Sequence, residues 1–222
     1  MTFILVLLTV ITILAVQFYL GRRRQRVAKL ARARSLPGVA GKGMTSQPPP
    51  DYLFHPGHTW VRVHDKGLVS LGATDFAINF AGALSALDLP AEGSRLRQGE
   101  RAWTLVSSGK RRLDQLMPID GKVIAVNRDL LAAPSRAQES PYEAAWLLRV
   151  EPRGIARYLG NLMSAAAAAA WLEGIRATVT ARLSPTLGTV ALDGGEWAPG
   201  FGDRLEDDDW EELRHELFPG MS

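Results

Sequence analysis

The sequence predicts a mainly β domain with flanking helices, an α+β class, behind an apolar N-terminal segment. Between residues 51 and 152, short apolar runs alternate with turn residues at even spacing, which is typical of a β-sandwich or β-barrel. The first 20 residues carry no charged side chain, and beyond residue 152 the apolar spacing becomes that of helices. These changes divide the chain into four regions: 1–20, 21–50, 51–152 and 153–222.

The composition excludes several kinds of site. The 222-residue chain contains no cysteine, which excludes disulfides, thiolate metal sites and a cysteine nucleophile. Its net charge of +3 is unevenly distributed, since residues 21–44 hold eight basic side chains and no acid, whereas residues 203–216 hold eight acids and two arginines. Because the basic excess is confined to one short stretch, it does not indicate nucleic-acid binding.

Residues 1–20 are predicted to form a transmembrane helix. Twenty helical residues span about 30 Å, the thickness of a bilayer's hydrocarbon core, and Phe18 and Tyr19 lie where an aromatic belt forms. The arginines at 22–24 favour a single-pass protein of the inner (cytoplasmic) membrane, with its N-terminus outside and its main domain in the cytoplasm. Two alternatives fit less well: a signal peptide has its charges before a shorter apolar core, and a buried core helix seldom lacks charges over 20 residues.

Residues 21–50 are predicted to connect this membrane helix to the β domain. Residues 22–35 continue as a basic helix along anionic headgroups, where each cation adds about 1 kcal/mol of attraction. Residues 36–50 are rich in proline and glycine and end in three consecutive prolines. This composition indicates an extended, semi-rigid linker.

The elements of the β domain follow from alternation and turn residues. Residues 60–64 alternate apolar and polar side chains, Asp65-Lys66-Gly67 is a hairpin signal, and residues 68–72 form the return strand. Residues 74–80 are predicted to form a short helix with Thr74 as its N-cap. The remaining predicted strands are 84–89, 102–106, 121–126 and 146–150.

Short motifs follow one another in order along this domain. The first are His58-Thr-Trp60-Val61, Gly72-Ala-Thr-Asp75-Phe-Ala77, and Leu87-Asp-Leu-Pro90 followed by Gly93. The later ones are Gly121-Lys-Val-Ile-Ala-Val-Asn127 and Ser140-Pro141-Tyr142 with Trp146-Leu147. In this order, almost without gaps, they resemble the H protein of the glycine cleavage system over about 100 residues. The resemblance implies a lipoyl-type flattened β-barrel or sandwich with the single hybrid motif, and a carrier role in glycine catabolism.

The family's function depends on one lysine in a Glu-Ser-Val-Lys-Ala hairpin, eight residues before a proline and eleven before a glycine. Lys110 has the same spacing to Pro118 and Gly121, and Asp114 matches an acid found four residues after the family lysine. The resemblance therefore implies a lipoate amide on Lys110. Its implied partners are lipoate ligase and a redox or one-carbon enzyme, glycine cleavage-like or otherwise dithiol-dependent. The redox-active sulfurs belong to the cofactor, so a chain without cysteine is competent.

The residues around Lys110 depart from the family pattern. Ser107 stands in place of glutamate, Gly109 in place of valine, and Arg111 and Arg112 in place of two small residues. A second interpretation therefore stays open, in which Lys110 is an unmodified cation on a β-turn. The protein would then be an adaptor or scaffold at the membrane that keeps the lipoyl-type fold and binds partners through Arg111, Arg112 and the acidic tail.

No other group of residues predicts chemistry. His55, His58 and His64 lie within ten residues but lack cysteine or carboxylates at metal-ligand spacing, so they are interpreted as structural and no metal is expected. The frames of a phosphate-binding loop, a GxSxG nucleophile and an HExxH zinc site are absent. The chain is predicted to be a carrier or adaptor without an active site of its own.

The region from 153 to 222 is predicted to be a helical extension. Residues 153–184 carry an apolar stripe and six consecutive alanines, which favour a helix, and residues 187–192 are predicted to be a strand with a turn at 193–195. Three aspartates at 207–209 then open a helix that reaches residue 218, because acids suit the positive end of the helix dipole. Its apolar face, Trp210, Leu213, Leu217 and Phe218, is expected to pack on the domain; the alternative is a docking helix for a partner.

Overall fold

The computed structural model describes residues 48–187, 192–193, 196–197 and 199–218. The predicted membrane helix, the basic segment and most of the linker lie outside these residues, so these predictions stay predictions. Within the described residues, no helix combines the length and the apolar character needed to cross a bilayer.

Two antiparallel sheets form the body of the fold. The larger sheet has six strands in the order β1-β2-β3-β9-β8-β5, and the smaller has three in the order β4-β6-β7. The strands are β1 Leu53–His55, β2 Thr59–Val63, β3 Val69–Ala73, β4 Leu84–Asp88, β5 Arg95–Leu96, β6 Arg101–Ser107, β7 Arg112–Leu116, β8 Gly121–Val126 and β9 Leu148–Pro152. The predicted mainly β architecture is confirmed.

Four α-helices flank these sheets in the described part of the chain. They are α1 Asp75–Ala81, α2 Arg128–Ala132, α3 Ala165–Leu187 and α4 Asp207–Leu217. The predicted Thr74 cap of α1 is present, since the Thr74 hydroxyl accepts a hydrogen bond from the Ala77 amide at 3.3 Å. This cap satisfies one of the amide groups that a helix leaves unpaired at its start.

Three strands of the two main sheets are absent from the sequence prediction. β1 and β5 are only three and two residues long, too short for a visible alternation. β7 alternates, but one of its two buried side chains is Gln115, which a hydrophobic pattern does not detect. Gln115 is buried because its carbonyl oxygen accepts from the Trp103 indole at 2.7 Å and its amide donates to the His58 carbonyl at 2.7 Å.

The long helix α3 begins twelve residues later than the sequence predicts. Residues 153–164 instead form two 3₁₀ turns, Ile155–Arg157 and Leu159–Asn161, and then an extended contact in which Met163 and Phe54 exchange backbone hydrogen bonds. Ser164 caps the helix by accepting from the Ala167 amide at 3.3 Å. The prediction of a helix from residue 153 is therefore wrong, because the backbone there completes the pairing of β1.

The strand predicted over residues 187–192 is also wrong at its start, because α3 continues to Leu187. Residues 188–191 lie outside the described residues, as do residues 194–195 of the turn predicted over 193–195, whereas Asp193 is part of a strand. Two short strands, β10 Leu192–Asp193 and β11 Glu196–Trp197, pair with each other. Helix α4 is confirmed, and its apolar face is buried, so that face is not available to a partner.

An aromatic cluster joins α4 to the β domain. Phe76 and Phe80 of α1 stack on Phe218 with ring centroids 6.1 and 5.2 Å apart, and Trp210 stacks on Phe80 at 5.3 Å. The imidazole of His58 lies fully buried within this cluster, 4.6 Å from Phe76 and 4.5 Å from Phe218. Full burial of a Phe side chain contributes about 1.5–3 kcal/mol, so this cluster is a major part of the core.

Burial lowers the pKa of His58 to about 3, because the charged imidazolium loses its hydration and the backbone of Leu217 offsets this loss only in part. The unfolded chain therefore binds one more proton than the folded chain between about pH 3 and 6.5. His58 lowers the free energy of unfolding as the pH falls through this window and has no such effect above it.

We expect His58→Phe to remove this pH dependence while keeping the ring contacts. Between pH 7 and pH 5 the wild-type chain should lose about 2 kcal/mol more unfolding free energy than the variant, measured by urea denaturation at both pH values. His64→Gln is the control, since the His64 side chain is exposed, and it should keep most of the dependence. Equal losses in wild type and His58→Phe would contradict the assignment.

Candidate functional site

The candidate site is the hairpin between β6 and β7, which carries Lys110 at its tip. The Lys110 amide donates to the Ser107 carbonyl at 2.9 Å, and the Ser107 amide donates to the Arg111 carbonyl at 3.0 Å. Lys110 has a backbone φ of 66°, a left-handed conformation that residues other than glycine seldom adopt. The turn therefore holds the Lys110 backbone in a defined conformation.

The Lys110 side chain is exposed. Among the described residues, its Nζ has no hydrogen-bond or ion-pair partner. An exposed primary amine on a hydrogen-bonded turn is suited to acylation by a second protein. This is the lysine that the sequence predicts as the attachment point.

A polar network beneath the tip stabilises the hairpin. The indole of Trp103 and the amide of Gln115 connect β6 and β7 to the His58 backbone, as described above, and the Thr104 hydroxyl is hydrogen-bonded to Asp114. Because buried polar groups that are fully paired restrict a structure to one arrangement, this network fixes the base from which Lys110 projects. Asp114, which the sequence comparison singled out only by its spacing, therefore has a structural role.

The structure explains one departure from the family pattern, Ser107, but not another, Gly109. Ser107 is 1% exposed, and its hydroxyl oxygen accepts from the Arg111 amide at 3.2 Å, so this position fits a small polar side chain. At Gly109, an added Cβ would meet only the Ser107 hydroxyl at 3.6 Å, an ordinary contact. Nothing in the structure explains the glycine.

Arg111 is turned away from solvent and binds residues near the end of the chain. Its guanidinium donates to the carbonyl oxygens of Gly202 and Leu205 at 2.6 and 2.8 Å, and to the Asp207 carboxylate at 2.6 Å. It also lies 5.5 Å from the Trp210 ring centroid, a cation–π distance. The sequence offered no signal for these contacts, because they join residues more than 90 positions apart.

A groove of about 440 Å³ lies between the hairpin tip and α4. The hairpin lines it with residues 109–112, and α4 lines it with Asp207, Trp210, Glu211 and Arg214. The remaining tip cation, Arg112, approaches Asp88 at 3.6 Å, and both side chains are more than half exposed. This exposed ion pair contributes little to stability.

The three histidines do not converge on a metal site. His55 accepts from the Gly57 amide, His64 contacts the Ser70 hydroxyl at 2.8 Å, and His58 lies in the aromatic cluster. Over the part of the chain that the structure describes, no group of three potential metal ligands occurs. The expectation that no metal is bound stays a prediction.

Comparison with known proteins identifies the family. The family model described as glycine cleavage H-protein matches residues 52–175, more than half of the chain. The chain belongs to the glycine cleavage H-protein family. H proteins are carrier proteins without catalytic activity of their own, and they carry covalently attached lipoate.

Individual H proteins agree with this assignment. The chain is 35% identical over 115 residues to a glycine cleavage system H protein of Neisseria meningitidis, covering 52% of this chain and 89% of the relative. It is 42% identical over 98 residues to the H protein of Methylococcus capsulatus, covering 44% and 76% of the two chains. The crystal structure of an H protein from Mycobacterium marinum superposes with a TM-score of 0.50 at 27% identity, covering 57% of this chain and 99% of the other.

The H-protein match extends beyond the predicted domain boundary at residue 152. It ends at residue 175, inside α3, whereas α4 and the residues that bind Arg111 lie after it. The chain therefore adds its own element, residues 199–218, beside the lysine hairpin of an H-protein domain.

We expect Ser107→Ala to lower the unfolding free energy by about 1 kcal/mol, because the Arg111 amide loses its acceptor in a nearly dry position. Urea denaturation of the two chains measures this difference. Ser108→Ala is the matched control. The Ser108 hydroxyl donates to the Ala83 carbonyl at 3.1 Å, but Ser108 is exposed. Water therefore replaces this hydroxyl in the variant, and the loss of unfolding free energy should be smaller. Equal losses would contradict the role given to Ser107.

Proposed function

We propose that this H-protein family member is a membrane-tethered carrier that presents a lipoyl group on Lys110 to a redox or one-carbon enzyme. The observation that carries the proposal is the position of Lys110 at an exposed hairpin tip, in ungapped register with the family lysine. Other H proteins interact with the enzymes of the glycine cleavage system, so a glycine cleavage-like enzyme is the first partner to consider.

The residues at the tip fit a lipoyl amide. Nζ of Lys110 is exposed and has no partner among the described residues, so acylation breaks no internal contact. When bound, a lipoyl group supplies a dithiolane that cycles between disulfide and dithiol at the end of a flexible arm. The protein's own contribution is to hold the lysine backbone at one position while the long side chain swings.

The tether is the other half of this proposal. Its support is the charge-free apolar run at 1–20, followed by eight cations in residues 21–44. By the positive-inside rule, the carrier domain lies in the cytoplasm and the N-terminus lies outside the inner membrane.

One observation favours the alternative, an unmodified adaptor at the membrane. Arg111, next to Lys110, is bound by residues 202–207, so the helix that follows lies close to one side of the tip. In that case the tip and the acidic helix would together bind a protein partner, and Lys110 would remain a free amine. The mass of the protein distinguishes the two functions.

We expect the intact protein purified from its own host to be heavier than its sequence by one lipoyl amide. Lys110→Arg, which keeps the positive charge, should remove this increment completely. Lys122→Arg, on β8, is the matched control and should retain it. The measurement is intact-mass spectrometry followed by peptide mapping around residue 110.

An unmodified mass, in cells whose other lipoyl proteins are fully modified, would contradict the carrier function and leave the adaptor. An increment that persists in Lys110→Arg would place the modification on another residue.

For the tether, we expect Leu8→Arg combined with Ile11→Arg to release the full chain from membranes. Each arginine at the centre of a transmembrane helix costs about 2.5–3.5 kcal/mol of insertion free energy. Leu8→Ala combined with Ile11→Ala is the control and should remain bound. Flotation of cell membranes in a density gradient after an alkaline wash measures the bound fraction. Wild-type protein that fails to float would contradict the tether.

A further inference from the structure

Residues 199–218, called the C-terminal segment below, contact the lysine hairpin both directly and through Ala83. Directly, the Arg111 guanidinium binds the carbonyl oxygens of Gly202 and Leu205 and the carboxylate of Asp207. In addition, the Asp203 carboxylate accepts from the Ala83 amide at 2.7 Å. The Ala83 carbonyl in turn accepts from the amide of Ser108, at the tip, at 2.7 Å.

The binding of Arg111 is geometrically specific. A guanidinium is a rigid planar group with five N–H donors, so it pairs with several acceptors only when they are correctly arranged around it. The Arg111 side chain is only 16% exposed, whereas Asp207 is 91% exposed. Because an exposed carboxylate is screened by water and salt, the two carbonyl groups and the Trp210 ring are the more important partners.

The C-terminal segment also forms one wall of the groove beside Lys110. The groove lies between the tip, residues 109–112, and α4. A protein that brings an active site to Lys110 therefore meets α4 together with the hairpin. This wall lies outside the match to the family model, which ends at residue 175.

We propose that the C-terminal segment restricts which proteins can act on Lys110, and that Arg111 is the positioning residue through which it does so. The inference deepens the proposed carrier function and rests on it for its biological meaning. In the intact chain, the tip and α4 form one composite face. Without the Arg111 contacts, the tip moves independently of α4 and enters protein active sites that the segment otherwise excludes.

The test uses endoproteinase Lys-C as a protein-sized probe, because this protease must accommodate Lys110 and its neighbours before it cuts. The full chain, unmodified and in detergent micelles, is digested under native conditions, and mass spectrometry follows cleavage after Lys110 and after Lys66. Lys66, in the turn Asp65–Gly67, is the internal reference. Each native cleavage rate is divided by the cleavage rate of the same variant unfolded in urea. This ratio corrects for the direct effect on the protease of a substitution at residue 111, which follows the cleaved bond.

We expect Arg111→Ala to raise the corrected cleavage rate at Lys110 by about tenfold or more, as local opening becomes easier, and to leave Lys66 within about twofold. Arg182→Ala is the matched control, because Arg182 binds Glu212 and Glu216 on the same helix but lies outside the groove; it should change neither rate. No increase for Arg111→Ala, or an equal increase at Lys66, would overturn the inference.

Lipoyl transfer by a lipoate–protein ligase separates this inference from the proposed function. We expect Arg111→Ala to raise kcat/KM for the transfer through a lower KM, since access rather than chemistry changes. If neither chain accepts lipoate while Lys-C cuts the variant faster, the carrier function fails and the restricted access stands. If both chains accept lipoate equally and Lys-C cuts them equally, the inference fails and the carrier function stands.

Discussion

The packing of α4 against α1 is the constraint on which the arrangement around Lys110 depends. Trp210 stacks on Phe80, and its indole donates to the Phe80 carbonyl at 3.0 Å. A Cβ on Gly202 would overlap the same carbonyl group, so the chain approaches α1 there as closely as a glycine permits. This contact sets both the distance and the register of the C-terminal segment on the domain. The carbonyl groups that receive Arg111 follow from that register.

The Arg111 contacts add donors to two carbonyl groups of the C-terminal segment. The Gly202 carbonyl, within the 3₁₀ turn Phe201–Arg204, also accepts from the Leu205 amide at 3.2 Å, and the Leu205 carbonyl follows directly after the turn. A guanidinium supplies donors to both at once and remains charged at any physiological pH. Arg111, which stands where the resembled family pattern has a small residue, thus connects the hairpin to the C-terminal segment. Ser107 beside it adds a further contact, because its hydroxyl accepts from the Arg111 amide.

The same aromatic cluster links the stability of the fold to the hairpin. His58, neutral because burial lowers its pKa to about 3, packs between α1 and the end of α4, while its carbonyl accepts from Gln115 in β7. His58 thus connects the base of the lysine hairpin to the surface on which α4 packs. Its φ of 56° is uncommon for a residue other than glycine. The exposed lysine therefore projects from a base that is hydrogen-bonded and packed against the core.

The sequence by itself determined the class of fold, the order of most strands, helices α1 and α4, and the position of Lys110. Alternation, turn residues and caps are local, so the chain displays them without its tertiary structure. The charge-free run at 1–20 is likewise visible in the sequence, because composition does not depend on tertiary contacts. Only the tertiary structure decided that Gln115 belongs to the core, that α3 starts at Ala165, and that Arg111 binds residues 202–207. Each of these depends on a partner distant in sequence, and hydrogen bonds between distant residues leave no periodic pattern in the chain.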